Sequence, residues 1–327
     1  MKDLKAILTT VEQLFREETF LADPKGLYEP IEYTMSLGGK RIRPTMLLAA
    51  NQMFGGDEGN ALNAAVGIEL FHNFTLLHDD LMDQSPLRRG KATVYRKWNP
   101  NTAILSGDTM FALAWRYMLK TETTRLSDIL NCFNETAIEV CEGQQYDMDF
   151  EQQQDVSIAD YMMMIRKKTA VLLAGALQIG ATIANADSDD IANLYDFGIH
   201  LGLAFQLQDD WLDTYGDVAL FGKQTGQDII DNKKTYMILR ACELASPAQR
   251  DELHRLFGQN TQTDGESAKK ISDVLSIYSA VGLRAEAENA IAAEFAKAYE
   301  SLDRLKVSES AKLPLVQLSE SLLGRKK

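Results

Sequence analysis

Residues 62–83 read LNAAVGIELFHNFTLLHDDLMD, an apolar run that closes on three aspartates spaced D-D-x-x-D. From Leu62 to Leu77 the apolar side chains recur every three or four residues, the period of a helix with a buried face. Residues 188–213, SDDIANLYDFGIHLGLAFQLQDDWLD, within a segment Ser188–Thr214 that reads as a helix, follow the same plan and end on Asp209, Asp210 and Asp213. The two clusters lie about 130 residues apart, too far for a stacked repeat of 20–50 residues. Two equivalent helices facing each other would explain the pair.

Working outward, the same period runs through Met1–Phe20, Thr102–Leu119, Ser127–Tyr146, Ile158–Ala184 and Ala280–Leu302. No segment sustains a two-residue alternation, so no sheet is expected. The predicted fold class is all-α, a single large helical bundle forming one domain over residues 1–327. Ser36–Pro44, Gln84–Pro100, Gly216–Lys234 and Gly258–Glu266 break the pattern with glycine, proline and charge and read as loops. The last of these is polar with no obvious chemistry.

With 327 residues, 45% of them apolar, the chain can bury a large core. Its net charge of −13 argues against nucleic acid or an anionic membrane as partner, because phosphate contacts need Lys and Arg. Three cysteines without a CxxC pair make no disulfide framework and suit a reducing compartment, with the cytoplasm expected. The charged start, MKDLKAILTTVEQLFREE, lacks the apolar core of a signal peptide. The longest apolar stretch, Ala170–Ala184, is shorter than the ~20 residues a bilayer requires and reads as a buried helix.

On a helix, Asp79 and Asp83 share a face, and Asp80 also neighbours Asp83; Asp209, Asp210 and Asp213 repeat this arrangement. Like charges so placed destabilise a helix by roughly 0.2–0.5 kcal/mol per pair, a cost that a bound cation removes. All-oxygen ligands select hard cations, chiefly Mg²⁺, which binds through a few carboxylates together with substrate phosphate oxygens. One D-D-x-x-D could equally be a solvated helix end. Two, each closing a strongly apolar helix, favour metal. Neither cluster has the glycine or the twelfth-position Glu of an EF-hand.

A diphosphate also calls for cations. Lys40, Arg41 and Arg43 sit in the glycine-rich stretch Gly38–Pro44, and Arg88-Arg89-Gly90 follows the first cluster. Lys167-Lys168-Thr169 opens the long apolar stretch, while Gly222-Lys223, Gly226, Asp228 and Lys233-Lys234-Thr235 follow the second cluster. Arg offers a planar donor fork that suits phosphate oxygens. His72 lies two helical turns before Asp79, on nearly the same face and ~10.5 Å away along the axis, too far to share a metal with it. His72 and His78 could each be a boundary residue of the core. No G-x-S-x-G and no Cys or Ser with a partner base is present, so the chemistry is expected to be driven by charge, not by a covalent intermediate.

Lys40-Arg41-Ile42-Arg43-Pro44, His78-Asp79-Asp80-Leu81-Met82-Asp83, Arg88-Arg89-Gly90, Lys168-Thr169, Phe205–Asp213, Gly222-Lys223 and Lys233 strongly resemble the trans-isoprenyl diphosphate synthases, which include the farnesyl and geranylgeranyl diphosphate synthases. The motifs fall in the family's order from about Gly38 to Thr235. The resemblance implies an isoprenoid-synthase bundle around a central apolar cavity, usually a homodimer, joining isopentenyl diphosphate to an allylic diphosphate. It implies three Mg²⁺ ions held by Asp79, Asp83 and Asp209, with Asp80, Asp210 and Asp213 in support. Arg88, Lys168, Lys223 and Lys233 would contact the allylic diphosphate, with Gln206 and Thr169 beside the reacting carbons. Lys40, Arg43, His72 and Arg89 would hold isopentenyl diphosphate without metal. Phe74 and Thr75, five and four residues before Asp79, would set product length; one aromatic there in place of two favours a twenty-carbon product over fifteen. Two rival readings are a class I terpene cyclase or head-to-head synthase, against which the second full D-D-x-x-D and the Lys40–Arg43 loop argue, and a non-catalytic subunit of a heteromeric synthase, which would be expected to lose its metal ligands, whereas all six aspartates are present here.

Overall fold

The structure is a computed structural model that describes residues 2–153, 155–216 and 225–324. Lys223, Gly222 and their neighbours lie outside the described residues. The chain divides into two compact units: residues 1–135, 175–195 and 305–318 in one, and 136–174, 196–304 and 319–327 in the other.

The first unit opens with α1 (Leu4–Glu17), α2 (Lys25–Ser36), α3 (Ile42–Met53) and α4 (Glu58–Met82). A short ribbon, β1 (Leu87–Arg88) and β2 (Lys91–Ala92), leads to α5 (Val94–Lys97), α6 (Pro100–Leu119) and the first part of α7 (Leu126–Gln152). Helix α4 carries the first aspartate cluster at its C-terminal end. Its N-terminus is capped by Asp57, whose carboxylate accepts from the Gly59 N–H at 2.9 Å. Ala64, Ala65, Val66, Ile68, Leu70 and Phe71 are all almost wholly buried, so the helix is covered on every side and not along one stripe. Two glycines let α4 and α6 approach. A Cβ on Gly67 would meet the Ala114 carbonyl at 3.0 Å, and one on Gly107 would meet Nε2 of His78 at 2.2 Å.

The second unit takes the rest of α7, then α8 (Ile158–Ile165), a π-turn (Arg166–Ala170), the first residues of α9 (Val171–Ile183) and most of α10 (Ser188–Tyr215). It continues through α11 (Gln227–Ile230), α12 (Tyr236–Leu244), α13 (Pro247–Phe257), α14 (Asp264–Ala280) and α15 (Leu283–Asp303). Helix α16 (Glu309–Leu323) is shared between the units. Helix α10 carries the second cluster, and small residues again allow close packing: Cβ atoms on Gly198 and Gly202 would lie 2.5 Å from the Cα atoms of Ala174 and Ala170.

The all-α class holds, with three local corrections. The stretch Gln84–Pro100 contains a ribbon that no alternation announced. It is two residues per strand, paired Leu87 to Ala92 and Arg88 to Lys91, and its turn residues Arg89 (φ 52°) and Gly90 (φ 74°) are both left-handed. That is the conformation of a tight two-residue hairpin turn, too short to leave a periodic signal. Helix α3 begins at Ile42, inside the expected loop, because Pro44 falls in the first turn where a missing N–H costs nothing. The expected single helix Ile158–Ala184 is interrupted by the π-turn, where one extra residue is accommodated. Among the described residues no helix is long and apolar enough to cross a membrane; α9, the apolar stretch, is core.

Candidate active site

In the first unit, Asp83 ends α4 with its N–H donated to the Asp79 carbonyl at 2.8 Å. Asp80, 5% exposed, is clasped by Arg88: Nε reaches both carboxylate oxygens at 2.8 Å and Nη2 reaches Oδ1 at 2.7 Å. The same Nη2 lies 3.9 Å from Asp79. Burial pushes the Asp80 carboxyl up, against the pull of Arg88. The ribbon therefore returns Arg88 to the helix end that it follows in sequence.

Two turns back along α4 is a cationic nest. Arg43 donates to Nε2 of His72 at 3.1 Å. Burial first, and then the charges of Arg43, Arg89, Arg88 and Arg41, hold the His72 imidazole well below its ordinary value, so it stands there as a neutral acceptor. Burial also lowers Arg43 to about 10, with Glu69 opposing. The guanidinium of Arg89 lies over Gly39, where an added Cβ would sit 2.6 Å from Nη2. Only glycine, here at φ 135°, admits that approach. Arg41 is anchored instead to the protein: to Glu69 at 2.8 Å, to the Met35 carbonyl at 2.6 Å, and over the ring of Phe15 at 4.5 Å. Among the described residues Nε of Arg43 and Oε2 of Glu69 are buried without a hydrogen-bond partner, which leaves this nest polar capacity to spare.

Phe74 stacks on Phe111 of α6 (5.3 Å between centroids, 17° between planes) and packs on Phe71 and His78 at 5.5 and 4.8 Å. Thr75 donates its hydroxyl to the His72 carbonyl at 2.8 Å.

In the second unit a cavity of about 480 Å³ is lined by residues that include Asp209, Asp210, Asp213, Lys168, Thr169 and Lys233. Asp210 accepts from the hydroxyl of Tyr161 and from Gln206 at 3.2 Å; Thr169 in turn donates to Gln206 at 3.2 Å. Burial, and next the charge of Asp228, push Asp210 well above the carboxylate range. Asp213 accepts from the Asp228 N–H at 3.0 Å, fixing the start of α11. Burial and then the charge of Asp213 push Asp228 up to about 7. Lys168 is presented by the π-turn and ion-paired to Asp147 at 2.6 Å. The π-turn rests against Gly143 of α7, where a Cβ would lie 2.3 Å from the Lys168 nitrogen.

These donors fit a hard divalent cation. Asp80, Asp210 and Asp213 are engaged by Arg88, Tyr161 with Gln206, and a backbone N–H, which suits supporting positions. Among the described residues no three His, Cys, Asp or Glu side chains close into a ready-made cage. Mg²⁺ needs none, since it keeps waters and binds through one or two carboxylates together with substrate phosphates.

The sequence profile described as polyprenyl synthetase matches residues 24–275. The chain belongs to the polyprenyl synthetase family. A short chain isoprenyl diphosphate synthase of Methanothermobacter thermautotrophicus is 34% identical over 99% of this polyprenyl synthetase and 98% of its own length. A geranylfarnesyl diphosphate synthase of Natronomonas pharaonis is 39% identical over 71% of this chain and 73% of its own. A crystal structure of a geranylgeranyl pyrophosphate synthase covers 100% of both chains at 42% identity with a TM-score of 0.95.

In this polyprenyl synthetase, Arg43, Arg88 and Arg89 lie near His72 of α4, with Arg88 reaching on to Asp80 at the helix end, and Lys40 lies exposed on the neighbouring loop. Lys168, Thr169, Gln206 and Lys233 gather on the second unit's cavity. Several residues of both sites escaped notice in the sequence. Glu69 had one signal, a lone carboxylate in a strongly apolar helix. Asp147, Tyr161 and Phe111 had none, because their partners come from other helices.

Proposed function

We propose that this chain is a short-chain trans-prenyltransferase that condenses isopentenyl diphosphate with an allylic diphosphate and makes geranylgeranyl diphosphate. The observation that carries the proposal is the pairing of each D-D-x-x-D helix end with its own set of basic side chains, Arg88 on one and Lys168 with Lys233 on the other. Family membership and 42% identity over full length to a geranylgeranyl pyrophosphate synthase support the twenty-carbon product.

Asp79, Asp83 and Asp209 would hold three Mg²⁺ ions, with Asp80, Asp210 and Asp213 behind them. The bound metal supplies Lewis-acid stabilisation of the negative charge that develops on the departing diphosphate. Arg88, Lys168 and Lys233 act on the same charge as fixed cations, and Lys223 is assigned to the same diphosphate. The allylic C–O bond breaks and diphosphate takes the electron pair. The double bond of isopentenyl diphosphate, held by Lys40, Arg43, His72 and Arg89, forms the new C–C bond. A proton then leaves to the released diphosphate, which restores the double bond. Gln206 and Thr169 stand beside the reacting carbons, and apolar walls keep water from the cation. The whole chain works as one catalytic domain, as a homodimer, in the cytoplasm.

Phe74 is the floor that limits the chain. Incubation with radiolabelled isopentenyl diphosphate and dimethylallyl, geranyl or farnesyl diphosphate, followed by chromatography, is expected to give a twenty-carbon product. Phe74→Ala is expected to lengthen it by one or more five-carbon units. Absence of any labelled prenyl product sinks the function. An unchanged length in the variant removes Phe74 as the floor.

A further inference from the structure

The polar loop at 258–266 and the helix that follows it take no part in the chemistry described above, yet they hold a buried cation. Lys270, on α14, is 3% exposed. Its ammonium has three protons and three acceptors: the side-chain oxygen of Asn232 at 2.5 Å, the Gln259 carbonyl at 2.9 Å and the Ile230 carbonyl at 3.5 Å. Asn232 extends the tie, with its amide nitrogen 3.4 Å from the Gln259 carbonyl and 3.2 Å from the side-chain oxygen of Asn260. Burying an ammonium is unfavourable unless its donors are satisfied, and a position that served packing alone would be better filled by Leu or Met. Lys270 thus ties the turn at 230–232 to the loop at 259–260.

What that turn carries makes the tie matter. Asn232 is left-handed (φ 57°), and the chain leaving it delivers Lys233 to the cavity of the second cluster. Lys234, next along, donates to the carbonyls of Phe150 and Glu151 at 2.6 and 3.1 Å. The other end of the segment rests on the same helix: a Cβ on Gly226 would lie 2.8 Å from Cδ1 of Ile271, the neighbour of Lys270. Both ends of residues 226–232 are therefore set by two consecutive residues of α14.

Resting on the assignment of Lys233 to the allylic diphosphate, we propose that Lys270 is a positioning residue that fixes the 230–232 turn so that Lys233 meets that diphosphate. A long flexible lysine loses less entropy on binding when its backbone is already held, so loss of the tie acts on ground-state binding of one substrate.

The test uses Lys270→Met, which keeps the apolar stem and removes the donors, and Asn232→Gly, which keeps the left-handed backbone and removes the acceptor. Both are measured for KM toward each substrate and for thermal unfolding, and Lys270→Met is also built into Lys233→Ala. Lys270→Met is expected to raise the allylic KM about tenfold and Asn232→Gly about threefold, with the KM for isopentenyl diphosphate within about twofold. On Lys233→Ala, adding Lys270→Met is expected to change the allylic KM by less than about twofold, because the two act through one contact. Equal effects on both substrates, or full additivity on Lys233→Ala, overturn the proposal. If Lys233→Ala weakens the allylic substrate while Lys270→Met is silent, the positioning role alone falls. If Lys233→Ala itself is silent, the assignment of Lys233 falls and takes this role with it. Should Lys270→Met not fold, Asn232→Gly decides by the same criteria.

Discussion

The two D-D-x-x-D helix ends look alike in sequence and are held differently. The middle aspartate of the first, Asp80, faces a guanidinium that bonds both of its oxygens, so its charge is met by a fixed cation. Its counterpart Asp210 is held by neutral donors, a phenol and an amide, at 3% exposure and beside further carboxylates. In the first cluster this carboxylate is met directly by a guanidinium; in the second it is met by neutral donors, and the cations Lys168 and Lys233 stand elsewhere on the cavity wall. A repeated motif thus marks equivalent positions without making them electrostatically equivalent.

The sharpest way to break this comparison is to remove the outer aspartates one at a time. Asp79→Ala and Asp209→Ala are each expected to lower kcat by roughly 10²–10³-fold, with unfolding temperature nearly unchanged, because each removes charge stabilisation and little packing. EDTA is expected to abolish wild-type activity and added Mg²⁺ to restore it. If one variant turns over like the wild type, only one helix end serves the reaction.

A smaller effect sharpens the division between the cationic sets. Arg89→Ala is expected to raise KM for isopentenyl diphosphate about tenfold and leave the allylic KM alone, and Lys233→Ala to do the reverse, each by about the 1.4 kcal/mol of one charged contact. Steady-state kinetics with each substrate varied in turn checks this. Two variants that weaken the same substrate would dissolve the distinction.

The smallest effect concerns His72, which is enclosed by arginines in the first unit only. Its folded value is lowered below 6.5, so the unfolded chain takes up a proton there that the folded chain refuses. Stability from this residue is complete above about pH 6.5 and is lost as pH falls below it, by up to about 1.4 kcal/mol per pH unit. His72→Gln, which keeps an acceptor for Arg43, is expected to flatten that slope in urea unfolding at pH 7.5 and 5.5. An unaltered slope would mean that His72 is not held neutral.

What could be read from the sequence follows from range. Helices α4 and α10 and the aspartates at their ends were legible because helical period and i, i+4 spacing are local properties. Helices α2 and α3 were not: Pro30 inside one and Pro44 near the start of the other broke the pattern without breaking the helix. At the site, basic residues could be ordered along the chain but not assigned partners. That Arg41 is bound by Glu69 while Arg43 meets His72 depends on a left-handed residue at 41, which no composition reveals. Tyr161, which donates to Asp210, and Asp147, which pairs with Lys168, lie 49 and 21 residues away from them.

The π-turn at Arg166–Ala170 has a consequence of its own. Such a turn is an α-helix carrying one supernumerary residue. Taking that residue out would restore regular winding and swing everything before it by ~100° about the axis of α9. Lys168 would leave Asp147, and Tyr161 would leave Asp210, without either being replaced. The five residues are therefore a length-sensitive register mark: loss or gain of a single residue there displaces Lys168 and Tyr161 together, whereas a side-chain exchange removes one contact at a time.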